Sequence, residues 1–184
     1  MTTKKIITTS NRRRARTFEG FDFTRNDIPF TSGILGSYRR KAWETFQQLP
    51  YPTTKDEPWR RTDIRGLDGS LALPKNEAYL DLQPMSTRLL TPLIDQEHGG
   101  QITLLPGGIK TEVSDEIIEK GVIFSDLETA AQDYPDLVSE RLGKVVSADE
   151  GKFAAMTAAF GQNGVFVHIP RGVQLEEPLH SVVW

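Results

Sequence analysis

The chain has no cysteine, which removes disulfides, thiolate metal ligands and cysteine nucleophiles from its 184 residues. A cysteine-free chain is at home in a reducing compartment. No apolar run approaches the length needed to span a bilayer, and no apolar core follows the basic N-terminus, so a secretory signal is not expected. Charge is nearly balanced, with a formal net charge of −3. That gives no global case for a nucleic-acid or membrane surface. The GxxxxGK[ST] and GxSxG patterns are both missing, so neither an NTP-cradling loop nor a nucleophile elbow is expected. The stretch Leu105-Pro-Gly-Gly-Ile-Lys110 has the glycines of a phosphate loop without its spacing. A turn between strands explains it better.

What is present is polar but not disordered as a whole: 38% of residues are hydrophobic and 26% charged. Composition and pattern divide the chain at 1–30, 31–100 and 101–184. Residues 1–30 form a basic arm with Lys4, Lys5, Arg12, Arg13, Arg14 and Arg16 ahead of its first acid, Glu19. A mobile solvated tail is the simplest reading. An organellar transit peptide or a nucleic-acid-binding arm would use the same residues.

Residues 31–100 are expected to be a helical region with long loops. Thr31 or Ser32 can cap a helix, and Ile34, Tyr38, Ala42, Phe46 and Leu49 recur at helical spacing. Pro50 and Pro52 stop it. Residues 56–69 read as turn, short helical or extended piece, and turn. Within them Asp56, Glu57, Asp63 and Asp68 flank Trp59, Arg60, Arg61 and Arg65. Paired carboxylates can do acid–base work, but surface ion pairs around an aromatic account for this cluster more simply. Residues 70–100 should be mostly loop, with a short helix near 86–95.

From Gln101 the pattern becomes α/β. Ile102, Leu104 and Leu105 predict a strand, and Pro106-Gly107-Gly108 a turn. A helix over 115–120 is expected behind Ser114 and ahead of Gly121. Val122-Ile123-Phe124 reads as a buried strand. Ser125 with Glu128 makes a capping-box pattern, and Pro135 opens a further helix that closes at Gly143. Residues 153–160 predict a helix apolar on nearly every side, suited to burial against a sheet. Val165, Val167 and Ile169 then alternate with Phe166 and His168. Pro170-Arg171-Gly172 turns the chain, and Val173 and Leu175 resume the alternation until Pro178. This stretch has the form of one layer of a stacked β-solenoid. A layer cannot bury its own face and needs a neighbour. Val182, Val183 and Trp184 therefore predict an apolar strand that continues, and an isolated chain that associates through that open β edge.

Three histidines, His98, His168 and His180, are the possible metal ligands. His168 and His180 stand twelve apart with no thiolate near, so metal binding is not expected. Glu176 and Glu177 before Pro178 suit either a partner contact or charge that protects a strand edge. The set of catalytic, cofactor-binding and metal residues expected in this chain is therefore empty.

Three runs resemble one family. GKFAAMTAAFGQNGVFVHIPRGVQLEEPLHS, Gly151 to Ser181, resembles the start of the β-helix in the SufB/SufD proteins of iron–sulfur cluster assembly. GVIFSDLETAAQDYPDLVSERLG resembles the helical lead-in of the same proteins. RRKAWETFQQLPYPTTKDEPWRRTDIRGL is similar to the N-terminal helical region of the SufD branch. The resemblance covers roughly 38–68 and 101–184. It implies an α+β fold: an N-terminal helical region, a mixed α/β segment and the first rung of a truncated right-handed β-helix. It also implies a noncatalytic scaffold subunit of the SUF complex, acting with a SufB-like partner and a SufC-type ATPase in the cytoplasm. An organelle replaces the cytoplasm if the basic arm is a transit peptide. No cofactor is expected in this segment, and the iron–sulfur cluster belongs to the assembled complex. The competing readings are a β-solenoid enzyme, such as an acyltransferase or carbohydrate-active protein, and a nucleic-acid-binding module using the arginine-rich arm.

Overall fold

The computed structural model describes residues 18–70, 88, 98–105 and 108–183. Of these, 18–22 with 52–70 form one compact unit, and 23–51 with 98–183 form another. The basic run before Phe18, the helix expected near 86–95 (Arg88 apart, which is helical), the turn residues Pro106 and Gly107, and Trp184 lie outside the described residues.

A backbone hydrogen bond joins the two segments of the first unit, and an aromatic contact lies within the first of them. The amide of Asp22 donates to the Gly69 carbonyl at 2.9 Å, and the rings of Phe18 and Phe21 meet edge to face at 5.0 Å. A 3-10 turn over Glu57–Trp59 has Pro58 in its first turn, where the missing amide proton costs nothing.

The second unit is mixed α and β. Its first helix, α1, spans Gly33–Gln48 and ends before Pro50. Leu35, Arg39, Ala42, Trp43 and Phe46 are its buried face along with Gly36. That is spacing i, i+4, i+7, i+8, i+11, a true helical stripe. The stripe expected through Ile34 and Tyr38 is rotated by one residue, and those two side chains are only partly buried. After the hairpin strands β1 (Gly100–Leu105) and β2 (Gly108–Val113) come α2 (Asp115–Glu119) and β3 (Ile123–Asp126). Helices α3 (Leu127–Asp133) and α4 (Pro135–Arg141) follow, and then α5 (Lys152–Phe160). Strands β4 (Val165–His168) and β5 (Leu179–Val183) end the unit.

Some boundaries fall where expected, as at Gly121, and others depart for clear reasons. Gly121 ends the α2 segment at φ +74°, a conformation that favours glycine. The cap of α3 is Asp126, not Ser125: its carboxylate accepts from the amides of Glu128 and Thr129, both at 3.0 Å. Ser125 belongs to β3, and its hydroxyl donates to the Asp126 carbonyl. Val173 and Leu175 are not in a strand, because the turn at Pro170, closed by the Val173 amide on the Pro170 carbonyl, is followed by irregular chain up to Pro178. The strand comes later, as β5.

Helix α5 packs on α1 rather than against a sheet. Trp43, Phe46 and Phe160 form the centre of this contact with Ala42, Ala155 and Ala159. Ring centroids lie 5.4 Å apart for Trp43 and Phe46, and 5.6 Å for Trp43 and Phe160. The alanines let the two backbones approach, and the aromatics fill the remaining space. Burial of each large side chain is worth about 1.5–3 kcal/mol.

Two sheets complete the unit. One has the order β2-β1-β5, with β1 antiparallel to β2 and parallel to β5. The other pairs β3 and β4 antiparallel. Neither sheet closes on itself among the described residues.

Candidate functional site

Strands β4 and β5 are the outermost described members of their sheets. Both are rich in valine, which suits a pleated half-buried surface. Their apolar side chains are not all covered. Val167 is 46% exposed, Ile169 just beyond β4 is 45% exposed, and Val183 is 77% exposed. Among the described residues no strand pairs with the outer edge of β5, and β5 has neither proline nor a lysine or carboxylate to shield that edge. The unpaired backbone edge of β5, with the exposed Val183 on it, is a candidate interaction edge.

The start of β4 is set by a polar hub. Arg39 is 3% exposed. Its guanidinium donates to the Gly161 and Gln162 carbonyls, both at 2.7 Å, to Glu128 at 3.2 Å, and to the Thr31 hydroxyl. It thus ties α1 to α3 and to the segment leading into β4. Beside it, Asn163 donates to the Asp126 carboxylate at 3.1 Å and accepts from the Glu128 amide at 3.2 Å. Burial pushes the Asp126 carboxyl up, but the bonds from Thr129, Asn163 and Glu128 outweigh it. Its pKa is held below the ordinary aspartate value. A second buried cation, Lys152, donates to the Phe46 carbonyl near the end of α1. Its ammonium sits 3.9 Å from the Phe46 ring centroid and 4.7 Å from that of Tyr51. Burial pushes its pKa down.

The apolar spacing through Ile34, Tyr38 and Ala42 leaves Arg39 mostly off its stripe, yet the structure buries it on that helix's packed face. Arg39 keeps helical phase with Leu35, Ala42, Trp43 and Phe46, and that phase is the signal that would have found it. Lys152 had no comparable signal.

The three histidines separate into a pair and a single. His180 lies in register with Gln101 across β1 and β5, and Gln101 with Glu112 across β1 and β2. The Gln101 amide nitrogen is 2.8 Å from His180 Nδ1. The rings of His98 and His180 are 6.4 Å apart. His98 Nδ1 is buried with no hydrogen-bond partner among the described residues. His168 ends β4 in the other sheet, in register with Ile123. Among the described residues, no group of three or more His, Cys, Asp or Glu side chains is placed to hold a metal.

The acidic–basic cluster at 56–68 forms local surface contacts. Arg65 chelates Asp63, with its closest approach at 2.7 Å, and this holds the Asp63 carboxyl at about 2. Arg60 stands 4.0 Å from Glu57. Asp56 accepts from the Thr53 amide at 2.7 Å, and Asp68 from the Ser70 amide at 3.0 Å. Lys110 pairs with Glu112 on the same strand at 2.8 Å. Glu176 and Glu177 are exposed and lie outside any strand. Their charge, after the direct Glu116 bond, helps hold the Lys120 ammonium above its ordinary value. No helix among the described residues is long and apolar enough to cross a membrane.

Residues 94–180 match the family described as SufBD protein N-terminal region. The iron–sulfur cluster assembly protein SufD of Bacillus subtilis is 33% identical over 156 residues, 80% of this chain and 34% of its own length. A chloroplastic iron–sulfur cluster assembly SufBD family protein of Arabidopsis thaliana is 26% identical over 155 residues, 78% of this chain and 28% of its own. A SufBD family protein of Staphylococcus haemolyticus is 38% identical over 66 residues, 36% of this chain and 14% of its own. The chain thus spans about a third of the length of the SufD relative. The region matched as SufBD N-terminal holds both sheets up to His180, the helices α2 to α5 and the segment that Arg39 anchors. The chain thus resembles the N-terminal portion of the SufD branch of the SufB/SufD proteins of iron–sulfur cluster assembly.

Proposed function

We propose that this protein is a noncatalytic scaffold subunit of a SUF-type iron–sulfur assembly complex, working with a SufB-like subunit and a SufC-type ATPase. Its contribution is architecture and partner contact. Nucleotide hydrolysis belongs to the ATPase, and the cluster to the assembled complex. The reading rests above all on the SufBD match over residues 94–180, carried through much of the chain by the SufD relative. The absence of cysteine from the sequence fits a segment that does not itself ligate a cluster through thiolates.

In this reading, β4 and β5 begin a right-handed β-helix. Three observations support that. β5 joins β1 in parallel, the pairing that stacked layers use. β4 and β5 lie in different sheets, separated by a corner at Pro170-Arg171-Gly172. Val167, Ile169 and Val183 remain exposed, as a first layer requires before the next one covers it. The protein acts in the cytoplasm, or in an organelle if the basic arm is a transit peptide.

The test is co-purification of the full-length protein with SufB-like and SufC-like partners from the same genome, under reducing, low-oxygen conditions. A stable complex containing all three is expected. Failure to associate with either partner overturns the scaffold assignment.

A further inference from the structure

We draw no further inference here: the strongest candidate, the side-chain cluster of His98, His180 and Gln101 at the seam between β1 and β5, brings only two imidazoles together, and nothing among the described residues supplies a third ligating group or shows what the cluster would hold.

Discussion

Arg39 concentrates more of the fold in one side chain than any other residue described above. It bonds to Gly161, 122 positions away, and to Glu128, 89 positions away. Truncation strands two carbonyls and leaves a carboxylate beside a cavity, so Arg39→Ala is expected to cost about 3 kcal/mol in urea unfolding. Glu128→Gln keeps the shape and should cost about 1 kcal/mol. Equal effects from the two variants would show that the carbonyl bonds carry little. Asp126 offers a test in pH. Its folded pKa lies below the ordinary aspartate value, so its contribution is present above about pH 4 and is lost as pH falls through the folded value. Asp126→Asn should therefore flatten the acid limb of the stability profile, measured by thermal melts from about pH 5 downward. Neither residue was legible as a hub. Sequence patterning weighs Arg and Asp as surface groups; the partners of Arg39 lie far along the chain, and Asp126 stands one residue beyond the serine expected to cap α3.

Helices were the most legible elements because their stop signals are local. Pro50 ends α1, Gly121 follows α2, and Pro135 opens α4. The surface against which each helix packs was less accessible. An all-round apolar α5 with four alanines suits a sheet or a helix equally. The choice was made by Trp43 and Phe46 presented from a distant helix. That contact should dominate the stability of the second unit. Trp43→Ala is expected to cost about 3–5 kcal/mol, and Trp43→Phe clearly less, measured by chemical denaturation. Strands were harder to place. β1 lies in a run whose period is easily read, whereas β5 follows irregular chain after Pro170, and its partner β1 is 79 positions away, as the Gln101 and His180 contact records. Periodicity has no access to such pairing.

For the whole molecule, the uncovered edge of β5 has consequences in solution. The chain is expected to self-associate with rising concentration, through strand addition at Leu179–Val183. Val183→Lys places a charge on an exposed position of that strand and should shift sedimentation profiles toward monomer without lowering the melting temperature. A wild-type chain that stays monomeric at high concentration contradicts this. The family resemblance was readable because two of the long motif runs coincide with the matched region. The β-helix was readable only as a beginning, since a single layer carries no repeat with which to compare itself.

The docking of α1 on α5 also bears on how the chain is made. Trp43 and Phe46 leave the ribosome more than a hundred residues before Phe160, the ring that completes their cluster. At about 5–20 residues per second, the nascent helix waits on the order of ten seconds with its aromatic side uncovered. Until translation passes Phe160, that naked stripe is a natural landing place for a chaperone that reads hydrophobic segments. Its release is then timed by the arrival of the chain's own later helix.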